Sequence, residues 1–245
     1  MSEQANVDCA AGFGVRLIGC ADDAALPIGM HDYAEALGCC TLVDKTMFIA
    51  DALDCDASVV VCCRPEGFGK SMNLSMLRAF LERPAVGRAD QRLFANAQIW
   101  DADGGRYRDE YACYPVISLD FSGAARRGAA IADVVRDALS GECVRLLALL
   151  EAPDLARDKV RHIERVARGA ASEDEVASVL GVLIELLEMA CDEQVVLLVD
   201  GYDAAWLGRA SARGASGADP AGLFDRVLFD AIAAARDSLR LTCLM

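Results

Sequence analysis

A glycine, a lysine and a serine in succession form the segment of this sequence best suited to chemistry. Gly69-Lys70-Ser71 follows an apolar, β-branched run over residues 58–63 and a loop that contains another glycine, Gly67. A strand, a glycine-bearing loop and a lysine that opens a helix together form the architecture of a phosphate-binding loop. Glycines let backbone N–H groups approach phosphate oxygens, and the start of the helix adds unpaired N–H groups and the positive end of the helix dipole.

The side chains of this loop are of the types that bind a magnesium nucleotide. Lys70 is expected to contact the β- and γ-phosphates of ATP, and the hydroxyl of Ser71 is expected to bind Mg²⁺. Only three of the 24 lysine and arginine residues are lysines, so a lysine at this place is informative. The strict motif requires a glycine at position 64, where the chain has Arg64, so the match by spacing is incomplete. A plain strand-to-helix turn is the alternative.

A carboxylate at the end of another strand is expected to complete the site. Residues 195–199 are all apolar and are followed by Asp200, which predicts a buried strand that ends in an aspartate. Ligands of open α/β sheets bind at the carboxyl ends of the strands. We therefore predict that Asp200 binds Mg²⁺ directly or through water, and a solvated strand-end aspartate is the alternative.

Strands alternate with helices along the chain, and this alternation predicts the fold class. We expect an α/β protein with a P-loop NTPase-like three-layer fold, a mostly parallel central sheet and an all-helical insert. The run over residues 58–63 is expected to be buried on both faces. Ser172 and Glu175 match a capping box at the start of one helix. Strands are predicted over residues 58–63, 115–121, 195–200 and 239–244, and helices over 32–37, 47–53, 70–81, 128–150, 154–168, 172–190 and 219–236.

Composition restricts the classes of protein to consider. A hydrophobic fraction of 54% and a charged fraction of 25% over 245 residues exclude a disordered chain. A net charge of −14 makes nucleic-acid binding by this chain alone unexpected, because the surface repels phosphate backbones. Glu185 and Glu188 interrupt the longest apolar stretch, so no membrane span is expected. Eleven cysteines without a C-x-x-C motif indicate mostly buried thiols in a reducing, cytoplasmic compartment.

The sequence predicts one large domain after a short tail. Residues 1–25 are small, polar and aperiodic, and we expect a flexible N-terminal tail. Residues 26–245 are expected to form a single domain, because no segment has the composition of a linker. Within it, residues 207–218 are rich in glycine, alanine, serine and arginine and are expected to form a mobile loop.

Several segments resemble the AAA-ATPase-like family, P-loop proteins often followed by a C-terminal restriction-endonuclease-like domain. The family's loop typically reads R-P-R-R-F-G-K-[ST], so the resemblance accounts for Arg64. It implies ATP and Mg²⁺ as ligands and a domain truncated at its C-terminal end, and we expect no nuclease activity. The resemblance extends from about residue 26 to residue 244 and rests on residues 26–29, 43–46, 64–71, 73–77, 114–117 and 199–203. The predicted nucleotide-binding residues are Arg64, Gly67, Phe68, Gly69, Lys70, Ser71 and Asp200, and the predicted metal ligands are Ser71 and Asp200.

Two departures from the family pattern bear on affinity and catalysis. Glu66 and Gly67 stand where the family usually has arginines, which reduces the positive charge beside a polyanion. The family's strand-end motif D-E-Y-D here reads D-G-Y-D, with Gly201 in place of the glutamate. The resemblance implies that this glutamate polarises the attacking water, so we expect ATP binding with weak or lost hydrolysis.

Two further residues are candidates for catalysis, and other functions stay open. Asp203 could substitute for the missing glutamate in an active ATPase, and Thr242 matches the family's L-T-G segment as a candidate sensor of the γ-phosphate. A non-enzymatic interaction domain that retains only the fold is a further alternative, and a small-molecule kinase with residues 207–218 as its lid is a weaker one. A protein partner or a homo-oligomer is compatible with each. Lys45 could approach phosphates or a neighbouring subunit, or lie in a surface salt bridge.

Overall fold

The computed structural model describes residues 16–19, 25–65, 67–85, 87–122, 131–152, 154–203 and 220–245. These residues form two compact units. The first unit comprises the described residues up to Asp56 together with those of Cys63–Cys113, and the second comprises Ala57–Cys62 and the described residues from Tyr114 onward. The chain therefore passes from one unit to the other three times, after residues 56, 62 and 113.

Four short helices and a two-stranded sheet make up the first unit. The sheet is antiparallel, and Ile18 pairs with Leu42 at its centre. Its first strand lies within the predicted N-terminal tail and is only three residues long, too short to show an alternating pattern. The elements are β1 (Leu17–Gly19), α1 (Tyr33–Cys39), β2 (Thr41–Val43), α2 (Met47–Leu53), α3 (Lys70–Leu81) and α4 (Gln98–Asp101).

Helix α3 has the boundaries predicted for it, and its buried face explains why it forms. Leu74, Leu77 and Leu81 recur at intervals of three and four residues and are all buried. Phe80, on the same helix, meets Phe94 edge-to-face at a ring-centroid distance of 5.0 Å. Because an apolar core anchors α3, the loop before Lys70 leads into a rigid element.

A four-stranded sheet and the helices that follow its strands make up the second unit. Its strands are β3 (Val59–Val61), β4 (Val116–Asp120), β5 (Val195–Asp200) and β6 (Leu239–Leu244), in the order β3-β6-β5-β4 with every pair parallel. This confirms the predicted α/β class, and the arrangement is consistent with a three-layer P-loop-like fold. The helices are α5 (Ile131–Leu146), α6 (Arg157–Ala167), α7 (Glu173–Cys191), α8 (Pro220–Asp225) and α9 (Ala231–Ala234).

Helices α5, α6 and α7 form the predicted helical insert between β4 and β5. The predicted capping box is present, since Ser172 accepts a hydrogen bond from the Glu175 N–H and the Glu175 carboxylate accepts one from the Ser172 N–H. On α5, the buried Glu142 carboxylate binds the Arg145 guanidinium at 2.7 Å and accepts a hydrogen bond from the Ser118 N–H at 3.0 Å. No helix among the described residues is both long enough and apolar enough to cross a bilayer.

The expectation that the strand after residue 58 is buried on both faces is wrong. Strand β3 lies at one edge of the sheet formed by the described residues, its residues are partly exposed, and Val61 is 48% exposed. The predicted burial of the strand before Asp200 is confirmed, because residues 195–199 of β5 are all fully buried. An apolar run indicates a strand, but it does not show where that strand lies in the sheet. Here β6, the last strand of the chain, lies between β3 and β5 and leaves β3 at the edge.

Candidate functional site

The predicted phosphate loop has the backbone shape that its glycines suggest. Gly67 and Gly69 have φ angles of +80° and +78°, in the left-handed region that favours glycine. Gly69 then forms the N-cap of α3, and its carbonyl accepts the first helical hydrogen bond from the Asn73 N–H at 2.9 Å. The chain thus turns sharply into α3 at the end of the glycine-containing loop.

Lys70 closes this loop with its own side chain. The Nζ of Lys70 donates a hydrogen bond to the carbonyl oxygen of Arg64 at 2.8 Å, six residues earlier in the chain. The ammonium group is therefore held over the loop, where phosphate oxygens of a ligand would compete for it. Phe68 is 60% exposed within the same loop, and Glu66 lies outside the described residues.

The charges at the start of α3 are the reverse of those that stabilise a helix. Residues 70–73 include no acidic side chain and begin with Lys70. By contrast, α7 begins with three acidic residues, at positions 173, 174 and 175. A cation near the positive end of a helix dipole costs about 0.3–1 kcal/mol, and an anion there gains a similar amount. The start of α3 is therefore electrostatically suited to an anionic ligand.

The carboxyl edge of the parallel sheet carries two carboxylates. Asp200 ends β5 and is half-buried, and its Cα pairs in register with that of Asp120, the last residue of β4. The Asp200 carbonyl accepts a hydrogen bond from the Phe121 N–H at 2.9 Å, and the Asp120 carboxylate accepts one from the Ser122 N–H at 2.8 Å. Sequence reasoning missed Asp120, although it ends an apolar strand just as Asp200 does. Side-by-side carboxylates of this kind suit Mg²⁺.

Gly201 occupies a position that admits only glycine. Its φ angle is +67°, and a β-carbon built there would lie 2.6 Å from the backbone nitrogen of Ser122 and 2.7 Å from its Cα. The Gly201 N–H donates to the carbonyl of Met245 at 2.7 Å, which fixes the peptide in this orientation. A glutamate, which the resemblance leads us to expect here, would therefore require the backbone to move.

The two candidates for catalysis lie in different surroundings. Asp203 is exposed, two residues beyond Gly201. Thr242 is fully buried in the middle of β6, level with Leu197, and its hydroxyl has no hydrogen-bond partner among the described residues. Because Leu197 is three residues before Asp200 on β5, Thr242 lies about 10 Å from Asp200 along the strand direction. The role of Thr242 as a phosphate sensor stays a prediction.

The structure thus groups the predicted site residues into two sets. The loop residues from Arg64 to Ser71 belong to the first unit, whereas Asp200, Asp203 and Thr242 belong to the second. That both sets act on one nucleotide stays a prediction. The described residues include no cluster of three or more histidine, cysteine, aspartate or glutamate side chains able to hold a metal ion. The predicted loop over residues 207–218 lies outside the described residues.

A comparison with known protein families identifies the family of this chain. A family model with the description "Predicted AAA-ATPase" matches residues 27–244, nearly the whole chain. The chain belongs to the AAA-ATPase-like family. The match includes both halves of the candidate site and confirms the resemblance found in the motifs. No curated protein and no solved structure matches the chain significantly.

Proposed function

We propose that this AAA-ATPase-like chain binds Mg–ATP and hydrolyses it weakly or not at all. The observation that carries the proposal is the hydrogen bond between the Lys70 ammonium and the Arg64 carbonyl, which holds a cation over a glycine-shaped loop at the start of a helix. Phosphate oxygens would replace that carbonyl as acceptors and would also take up the N–H groups of the first helical turn.

The topology of the second unit supports a role for Asp200 at the same nucleotide. All four strands are parallel, and both Val61 and Val199 pair in register with Leu244. The carboxyl end of β3, from which the phosphate loop departs, therefore lies at the sheet edge that carries Asp200. In open α/β sheets this edge is where ligands bind.

The donor atoms of the proposed site are oxygens, which suit hard cations such as Mg²⁺. Mg²⁺ prefers oxygen ligands and is usually bound by one or two carboxylates together with phosphates and water. Asp200, its neighbour Asp120 and the Ser71 hydroxyl offer such oxygens, and no larger protein cage is needed. A Mg²⁺ ion held there would supply positive charge that offsets the charge of the phosphates. Ser71 and Asp200 are the ligands we propose.

Gly201 is the reason to propose weak or lost hydrolysis. General bases contribute about 10²–10⁴-fold to such reactions, and the family has a glutamate at this place. The backbone around Gly201 leaves no space for a β-carbon beside Ser122, so the chain has adopted a conformation that excludes that glutamate. Asp203 is exposed and lies two residues further along, which makes it the only alternative base that the D-G-Y-D motif offers.

The compartment we propose is the cytoplasm. None of the nine described cysteines is in a disulfide bond, as expected in a reducing environment. Only three of the nine are buried, so the expectation that most cysteines are buried is wrong. A nucleotide is the partner that the site supports. A protein partner or a homo-oligomer is compatible with this function and is also proposed.

Calorimetric titration of Mg–ATP into wild type and Lys70→Met tests binding. We expect wild type to bind and Lys70→Met to lose at least about tenfold in affinity, because the charge-assisted contacts of the ammonium are removed. Lys159→Met is the control, since Lys159 is a half-buried lysine of α6 that pairs with Glu185 away from the loop in sequence. Wild type that fails to bind at millimolar Mg–ATP would indicate an interaction domain that retains only the fold.

Single-turnover hydrolysis tests the second half of the proposal. With enzyme in excess over ATP, wild type is expected to hydrolyse ATP no faster than about tenfold above Lys70→Met. Efficient turnover that Asp203→Asn abolishes would instead identify an active ATPase with Asp203 as its base. Transfer of phosphate to an added small-molecule acceptor would favour the kinase alternative.

A further inference from the structure

The turn between β2 and α2 is held by a buried polar network. The Asp44 side chain is fully buried and accepts hydrogen bonds from the Thr46 N–H at 2.9 Å, the Thr46 hydroxyl at 2.6 Å and the Gln98 N–H at 2.8 Å. The Thr46 oxygen, also fully buried, accepts a hydrogen bond from the Ile99 N–H at 3.2 Å. A buried network with this many satisfied groups fixes the backbone on both sides of Lys45.

Lys45 projects from this fixed turn to the phosphate loop. Its two neighbours are buried, whereas Lys45 itself is exposed, and its carbonyl accepts a hydrogen bond from the Phe48 N–H at 2.9 Å. A β-carbon built on Gly69 would lie 4.0 Å from the Lys45 Nζ. The ammonium group of Lys45 is therefore beside the last residue of the loop, within the same unit.

Two of the three lysines of the chain thus converge on one loop. Lys70 reaches the Arg64 carbonyl from inside the loop, and Lys45 reaches Gly69 from the β2–α2 turn. Two ammonium groups beside the same helix start repel one another and the helix dipole, and an anion bound between them removes that repulsion. The chain has a net charge of −14 and only three lysines, so two lysines beside one loop are unexpected unless that loop binds an anion.

We infer that Lys45 is a second phosphate-binding lysine, which contacts the polyphosphate of the nucleotide beside Gly69. This inference rests on the proposed function. Asp44 and Thr46 are then positioning residues, because their buried hydrogen bonds hold the turn that presents Lys45. The contact is to phosphate oxygens only, so it is independent of the base and sugar of the nucleotide.

The test is a set of titrations with Mg–ATP and with inorganic triphosphate as a base-free probe. Lys45→Met is expected to weaken both ligands by about the same factor, roughly tenfold or more, and Lys45→Arg is expected to restore part of the loss. Lys159→Met serves as the control for loss of a lysine outside the loop. The melting temperature of Lys45→Met without ligand is expected to equal or slightly exceed that of wild type, because the side chain takes no part in the buried network and its repulsion of Lys70 is removed.

The outcomes separate this inference from the proposed function. If Lys70→Met loses affinity and Lys45→Met binds both ligands within twofold of wild type, the role of Lys45 is wrong and nucleotide binding stands. If Lys45→Met loses ATP but keeps triphosphate, Lys45 contacts another part of the nucleotide and the inference is overturned. If wild type binds neither ligand at millimolar concentration, both the proposed function and this inference are wrong.

Discussion

Replacement of Gly201 by alanine is the sharpest test of the geometry at the end of β5. Gly201 has a φ angle of +67°, and a β-carbon there would lie 2.6 Å from the Ser122 nitrogen, 2.7 Å from its Cα and 3.0 Å from the Phe121 carbonyl carbon. The left-handed conformation alone costs a non-glycine residue about 1–2 kcal/mol. Moving the neighbouring backbone to relieve the contacts adds about 1–2 kcal/mol.

The sum predicts that Gly201→Ala lowers the free energy of unfolding by about 2–4 kcal/mol. Urea unfolding followed by circular dichroism measures this change as a shift of the midpoint at constant slope. The matched control is Gly181→Ala, because Gly181 lies inside α7 with no atom within 4 Å of a β-carbon built there. Alanine in the middle of a helix is expected to stabilise the chain by about 0.5–1 kcal/mol.

Gly201→Ala is therefore expected to lower the free energy of unfolding, and Gly181→Ala is expected to raise it. If Gly201→Ala unfolds at the same urea concentration as wild type, the backbone at the end of β5 adapts easily and the steric reasoning is refuted. The structural argument that this position excludes a glutamate would then be lost, whereas the absence of that glutamate from the sequence would stand.

Three other substitutions test interactions within the second unit. Glu142→Gln is expected to cost about 2 kcal/mol in urea unfolding, because the Arg145 guanidinium loses its buried carboxylate; an unchanged midpoint would show that water already solvates Arg145. Thr242→Val is expected to stabilise the chain by about 1–2 kcal/mol, because the buried hydroxyl has no partner among the described residues, and a loss of stability would reveal one. Hydrogen bonds from the Ser172 N–H and then Arg165 lower the pKa of Glu175 from 4.5 to about 2. The carboxylate therefore stabilises α7 above about pH 4.5 and loses this effect as the pH falls toward 2, so the difference in melting temperature between wild type and Glu175→Gln should shrink over that range.

Local signals in the sequence were sufficient for the elements that carry the proposed site. The residues of α3 follow a helical apolar pattern directly after a glycine, and both ends of the helix were predicted correctly. The five apolar residues before Asp200 indicate a buried strand, and the capping box at Ser172 is readable from two residues. Each of these signals depends on neighbours within a few positions along the chain.

Features that depend on distant pairing could not be predicted in the same way. The edge position of β3 depends on its pairing with β6, about 180 residues later in the chain, where Val61 meets Leu244. The adjacency of Asp120 and Asp200 depends on the register of two strands. The network that presents Lys45 depends on Gln98, which is 54 residues from Asp44.

The Mg²⁺ dependence of ATP binding tests most directly whether the loop and the strand end act on one nucleotide. ATP is titrated into wild type, Lys70→Met and Asp200→Asn, each with excess Mg²⁺ and again with a chelator. We predict that Lys70→Met loses affinity in both conditions, whereas Asp200→Asn matches wild type with the chelator and lacks the gain that Mg²⁺ gives wild type. An Asp200→Asn variant that gains as much affinity from Mg²⁺ as wild type would contradict the account.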